Sequence, residues 1–225
     1  EPDLIEVGDV FHPAWCAARV AARRCIPLVA FCHSNLPHLV GRRFGRTAER
    51  ALSAYLRHVY ARFDLVLTPS RLMCEYLAGL GVRHTVLQPL GVDTAIFNPQ
   101  RGTLDLRRSL KLDDSTRLLV YAGRFSSEKN LPVLHETLRL LGTRYHLLLI
   151  GGGVHGRPAA NITVLPYRRD SVELATWIAS CDELVHAGCS ETFGLVIVEA
   201  LACGRPVVAA NAGAVPEHVD QSVGM

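Results

Sequence analysis

The chain has 225 residues, enough for one large domain or two small ones, and 49% of them are hydrophobic, which excludes a disordered polymer. A formal net charge of +3 is too small to imply nucleic acid as a partner. No apolar run reaches the roughly 18 residues that a membrane-spanning helix requires.

Along the chain, apolar runs of strand length alternate with amphipathic runs of helix length. Leu4–Val7 reads as a strand. A helix follows from Pro13 to Arg24, with proline in its first turn. Pro27–Cys32 is apolar without alternation, the mark of a strand buried on both faces. Arg43–Phe63 reads as one long helix, Asp64–Leu67 as a short strand, Arg71–Leu80 as a helix stopped by Gly81, and Thr85–Gln88 as a strand. The segment 88–102, "QPLGVDTAIFNPQRG", has two prolines, two glycines and no period, and reads as a linker. Beyond it, strands are expected at 118–122, 146–150, 162–165, 183–186 and 206–210, and helices at 130–141, 171–180 and 194–203. Such alternation predicts parallel sheets covered on both faces: two doubly wound α/β domains, 1–100 including the linker and 103–225. In such folds ligands bind beyond the carboxyl ends of the strands, which directs attention to the loops after Ala122, Ile150, Leu165 and Ala187.

The seven cysteines, Cys16, Cys25, Cys32, Cys74, Cys181, Cys189 and Cys203, are odd in number and contain no Cys-x-x-Cys pair. Neither a metal site nor a disulfide framework is expected, and they read as reduced, mostly buried thiols of a cytosolic protein. The chain opens Glu-Pro-Asp, without a secretory leader pattern, so the sequon Asn161-Ile162-Thr163 is read as chance.

Four stretches carry chemistry. In "GRFSSEKN", 123–130, Arg124 and Lys129 lie between a strand and a helix, where a planar fork, a mobile ammonium and a helix N-terminus suit a diphosphate. The plain alternative is a solvated turn with Lys129 paired to Glu128. In "IGGGVHG", 150–156, Gly151, Gly153 and Gly156 satisfy G-x-G-x-x-G, and Asp170 lies near the place of a ribose-binding acid. A dinucleotide fingerprint must open a helix, however, and Pro158 and the strand at 162–165 leave no room for one. The glycines are expected to let the backbone turn tightly beside a ligand. "CHSNLPHL", 32–39, is read as a polar loop at a strand end in which His33 faces a cleft. In "CSETFGLVIVEALACG", 189–204, Ser190 is expected to cap the following helix. Glu191 stands before that helix, Gly194 allows close backbone approach, and Glu199 stands within an apolar face. A buried carboxylate needs a partner, either an arginine or the hydroxyls of a ligand.

Taken together, "GRFSSEKN", "ETFGLVIVE" followed by "ALACGRPVVA", the linker "GVDTAIFNP" and "FCHSNLPHLV" resemble glycosyltransferase family 4, retaining nucleotide-sugar-dependent enzymes of the GT-B fold; the resemblance is strongest to bacterial GDP-mannose-dependent α-mannosyltransferases. It implies that Gly123, Arg124 and Lys129 meet the donor diphosphate and that Glu191 holds a sugar hydroxyl beneath the reacting carbon. Thr192, Phe193 and Gly194 would contact that sugar, Leu195 and Val196 would offer amides near the phosphates, and Glu199 would bind the ribose. His33 would approach the sugar from the N-terminal domain, and backbone near Pro166–Arg168 would read the base. No metal is expected, since no Asp-x-Asp is present. The resemblance further implies a lipid or glycan acceptor and a cytoplasmic location. Arg43, Arg46, Arg50 and Arg57, on one helical face, are either simply solvated or the contact to an anionic membrane surface. Relative to the family, the first strands with their Gly-rich loop and the last helices are missing. The sequence therefore reads as a fragment with an incomplete N-terminal domain, a truncated C-terminal domain, weak or absent catalysis, and apolar cut edges prone to aggregation. The alternatives are a GT-B relative that hydrolyses or isomerises nucleotide sugars, a nucleotide- or NAD-binding module, and an inactive interaction domain.

Overall fold

The computed structural model describes residues 2–153, 158–167 and 169–225. The chain divides into two compact units, Glu1–Leu90 and Gly91–Met225, each built on a parallel sheet.

In the first unit the order is β1 (Ile5–Val7), α1 (His12–Arg24), β2 (Leu28–Phe31), α2 (Leu36–Phe44), α3 (Arg46–Tyr60), β3 (Leu65–Thr68), α4 (Arg71–Gly79) and β4 (Thr85–Leu87). The four strands lie side by side in chain order. Leu28, Ala30 and Val66 of the sheet pack with Leu56, Val59 and Tyr60 of α3 and Met73 and Leu77 of α4.

Two expectations for this unit fail, for local reasons. The helix expected over Arg43–Phe63 is two helices, because Gly45 adopts φ 87° and breaks the hydrogen-bond ladder. Arg43 thus belongs to α2, whereas Arg46, Arg50 and Arg57 lie on α3; all four are exposed. The expected polar loop 32–39 instead runs into α2. Asn35 caps that helix by accepting from the His38 N–H at 3.2 Å, and Pro37 fits the first turn, where no donor is needed.

The second unit contains α5 (Asp105–Ser109), β5 (Arg117–Phe125), α6 (Leu131–Leu141), β6 (Tyr145–Gly153), β7 (Ile162–Pro166), α7 (Ser171–Ser180), β8 (Glu183–His186), α8 (Leu195–Ala202) and β9 (Val207–Ala209). The sheet order is β7-β6-β5-β8-β9. From β5 the chain first proceeds through β6 to β7 on one side, then returns to place β8 on the other. The order therefore reverses between β5 and β8, and the crevice beyond their carboxyl ends is the switch point where such sheets bind ligands. Alternate residues of β5 enter opposite cores. Leu118, Val120 and Ala122 meet Ala175 and Ile178 of α7 and Ile197 and Ala200 of α8; Leu119 and Tyr121 meet Leu131, Leu134 and Leu138 of α6.

The segment expected to be only a linker contributes to this core: Phe97 is buried in it, with Val92 and Ile96 packed alongside. Strands β5 and β6 also run further than expected, staying paired to Phe125 and Gly153. The glycines make this possible without a turn at 151. A Cβ on Gly151 would come within 1.8 Å of the Gly123 carbonyl oxygen, and one on Gly153 within 2.7 Å of that of Phe125. Gly156 lies outside the described residues, as does Arg168. Asp170 is the N-cap of α7, accepting from the Val172 N–H at 2.8 Å. The Asn161 amide nitrogen donates to the carbonyls of Leu138, Gly142 and Tyr145, which ties it into the backbone between α6 and β6. All seven cysteines are free, but only Cys32, Cys181 and Cys203 are buried; Cys16, Cys25 and Cys189 are exposed, so the expectation of mostly buried thiols is corrected. Among the described residues no helix is long and apolar enough to cross a membrane.

Candidate functional site

Two loops flank the switch point of the second unit. One leaves β5 and makes a 3-10 turn over Ser127–Lys129 before α6. The other leaves β8 at His186 and enters α8 at Gly194, whose φ of 90° lets the chain turn sharply into the helix. Gly194, four residues beyond the expected Ser190, is the N-cap of α8. Arg205 closes the other end of the helix, donating to the carbonyls of Cys203 and Cys181 at 3.1 Å each.

Helix α8 turns Ile197 and Ala200 into the core. Residues one or two positions away around the helix, Leu195, Val196 and Glu199, line a cavity of about 680 Å³. Its other walls are Ala122, Gly123 and Arg124 of β5, Ile150 and Gly152 of β6, Leu174 of α7, and Tyr167. The Arg124 side chain is 79% exposed and reaches Glu128 at only 3.6 Å. Among the described residues no arginine or lysine forms an ion pair with Glu199. Burial pushes the Glu199 carboxyl up to about 7, with no opposing charge. A half-buried acid with no cation among the described residues, opening on a cavity, is poised to accept hydrogen bonds from something that enters it.

Lys129 and Glu191 form a second cluster. The alternative pairing of Lys129 with its neighbour Glu128 does not form; the Lys129 ammonium contacts the Glu191 carboxylate, 62 residues away, with both side chains largely buried. His186 Nε2 lies 3.0 Å from the same carboxylate oxygen. Burial alone would raise the Glu191 pKa, but the His186 hydrogen bond and the Lys129 charge together outweigh it and hold it at about 2. The Glu191 backbone is fixed from behind, its carbonyl accepting from the Ala214 N–H at 2.9 Å.

Of the residues singled out in the sequence, Gly123, Arg124, Leu195, Val196 and Glu199 share one cavity, and Lys129 and Glu191 share one ion pair. Phe193 is buried, its ring edge-on to His218 at 4.4 Å, which leaves only its backbone to meet a ligand. His33 belongs to the first unit, where it stacks on Phe31 at 4.4 Å and helps line a separate cavity of about 210 Å³ with Gly8, Asp9, Cys32 and Tyr60. Sequence reasoning missed His186, and at Tyr167 it pointed to the backbone of 166–168 without the side chain. A histidine ending an apolar strand reads as a core residue, and only the long-range contact to Glu191 distinguishes it. Tyr167 is exposed, and its one sequence signal is an aromatic beside the loop after β7.

The family described as "Glycosyl transferases group 1" matches residues 116–224, and "Glycosyltransferase Family 4" matches residues 1–96. The chain is 30% identical over 216 residues to a GDP-mannose-dependent alpha-mannosyltransferase of Mycobacterium tuberculosis, covering 95% of this chain and 56% of that protein. It is 28% identical over 234 residues to the sulfoquinovosyl transferase SQD2 of Arabidopsis thaliana, covering 98% of this chain and 45% of that one. The chain thus spans about half the length of these curated relatives. Its fold matches the Anabaena protein HepE, crystallised in complex with UDP and glucose, with a TM-score of 0.81 at 24% identity, over 99% of this chain and 63% of that one. It also matches a sucrose-phosphate synthase from Thermosynechococcus elongatus, with a TM-score of 0.83 at 22% identity, over 99% of this chain and 60% of that one.

Proposed function

The chain belongs to the group 1, family 4 glycosyltransferases of the GT-B fold, and from that premise we propose that it carries the donor site of a retaining hexosyltransferase, with a GDP-linked mannose as the first choice of donor and a UDP-hexose as the competitor. The observation that carries this reading is the pairing at one switch point of a half-buried acid, Glu199, with an exposed cation, Arg124, on the walls of one cavity. Glu199 accepts the ribose hydroxyls. Tyr167 covers the base. Arg124, joined by Lys129 and the N–H groups of Leu195 and Val196 at the start of α8, receives the diphosphate. Thr192, Phe193 and Gly194 offer backbone to the sugar, and Glu191 holds a sugar hydroxyl.

The chemistry follows from these placements. The bond from the anomeric carbon to the diphosphate oxygen breaks, and its electron pair leaves on the nucleoside diphosphate. Charge growing there is met by Arg124, Lys129 and the helix amides, which act best when already oriented. The acceptor hydroxyl attacks from the face the diphosphate leaves, and its proton passes to the departing phosphate oxygen, so configuration is retained. Glu191, ionised down to about pH 2, orients and stabilises the cationic sugar without bonding to it. His33 belongs to the acceptor side of the reaction, the acceptor is a lipid or glycan, and Arg43, Arg46, Arg50 and Arg57 attract an anionic membrane surface from the cytoplasmic side.

Thermal melting with GDP, UDP and NAD tests this reading, because a ligand bound only by the folded state raises the melting temperature. A rise with GDP or UDP that Lys129→Ala abolishes is expected. A rise with NAD alone contradicts it.

A further inference from the structure

Glu191 is gripped by two donors of different kinds. One is mobile: Lys129 is a flexible ammonium, and under the proposed function, on which this inference rests, it is also a ligand of the diphosphate. The other is fixed. His186 is 1% exposed, and its ring stacks on that of fully buried Tyr121, centroids 5.9 Å apart and planes inclined by 29°. The Tyr121 hydroxyl in turn donates to the Arg124 carbonyl at 2.9 Å. His186 Nδ1 lies 3.2 Å from the Gly188 backbone nitrogen. That N–H can only donate, so Nδ1 carries no proton, and in the neutral ring the proton sits on Nε2, facing Glu191. Gly188 is needed for this contact, since a Cβ there would stand 2.7 Å from His186 Cε1.

A diphosphate entering the cavity competes with Glu191 for the Lys129 ammonium. Were Lys129 the sole partner, its departure would leave a buried carboxylate free to swing or to take up a proton. We infer that His186 is a positioning residue: its locked Nε2–H holds the Glu191 carboxylate in place while Lys129 turns from that carboxylate to the donor diphosphate. Glu191 is then presented to the sugar in the same position before and after the phosphates bind. Among the described residues the charged and titratable groups around it are Lys129, His186 and Tyr121, with Arg124 at the end of β5 and Glu128 in the loop that follows.

Three readouts on the whole chain test this. Nitrogen-15 NMR of the unaltered protein reports the His186 tautomer directly; a proton on Nδ1 overturns the inference without any variant. Carbon-13 titration of the Glu191 carboxyl is expected to move up by about one pH unit or more in His186→Phe and to stay low in His186→Gln, whose amide N–H can still donate. Calorimetry with GDP and GDP-mannose (and with UDP and UDP-glucose) is expected to show that His186→Phe loses the added affinity due to the sugar, on the order of tenfold, and that His186→Gln restores most of it. An unmoved Glu191 titration in His186→Phe, or equal damage from the two variants, overturns the inference. If the unaltered protein binds no nucleotide at all, the transferase reading itself falls, and the Glu191 titration still decides whether His186 governs that carboxylate.

Discussion

At the residue scale, the two glutamates eight positions apart are opposites. Glu199 has no cation among the described residues and is pushed up to about 7 by burial; Glu191 has two donors and is held at about 2. The linkage signs are opposite too. The folded state binds the Glu199 proton more tightly than the unfolded chain, whose value is near 4.5, so the associated stability is present below pH 4.5 and lost as pH rises through about 7. Glu199→Gln removes that loss. The variant is expected to gain about 2 kcal/mol over the unaltered protein at pH 8 and nearly nothing at pH 4.5, as read by denaturant unfolding. The stability linked to Glu191 is present above about 4.5 and is lost as pH falls toward 2. Both acids stood out in the sequence because they interrupt apolar surroundings. Their partners did not. Lys129 has Glu128 next to it in the chain, and only the fold brings Glu191 closer. His186 ends an apolar strand, and nothing local distinguishes it from a core histidine.

At the element scale, the alternation of strands and helices was readable because buried parallel strands are continuous apolar runs and the helices between them are amphipathic. What escaped depends on backbone geometry. The apolar phase of Arg43–Phe63 carries past Gly45, and only its positive φ reveals the break. Helix α5 has five residues, too few for a period to register. The glycines at 151 and 153 looked like a loop but extend β6, because their missing side chains let β5 stay paired. Two predictions belong here. Gly151→Ala places a Cβ against the Gly123 carbonyl and is expected to prevent folding or to cost more than about 3 kcal/mol, seen as loss of a cooperative melting transition. Gly213→Ala combines a φ of 62° with a Cβ 2.7 Å from the Glu191 carbonyl oxygen. It is expected to destabilise by about 1–3 kcal/mol and, by shifting Glu191, to weaken nucleotide-sugar binding more than nucleoside diphosphate binding.

At the scale of the whole molecule, two parallel-sheet units occur in one chain, and the proposed donor machinery lies within the second. The first unit carries the exposed arginines, and reversing the charge of Arg43, Arg46 and Arg50 is expected to reduce co-sedimentation with anionic vesicles at low salt; unchanged co-sedimentation would remove the membrane role. The central claim is that Glu199 and Glu191 hold opposite ends of one donor. Calorimetric titration of GDP and GDP-mannose, with the UDP pair in parallel, against the unaltered chain, Glu199→Gln and Glu191→Gln tests it most directly. Glu199→Gln should weaken nucleoside diphosphate and nucleotide sugar alike, by roughly tenfold, while Glu191→Gln should remove only the added affinity due to the sugar. Undiminished nucleoside diphosphate affinity in Glu199→Gln would contradict the account.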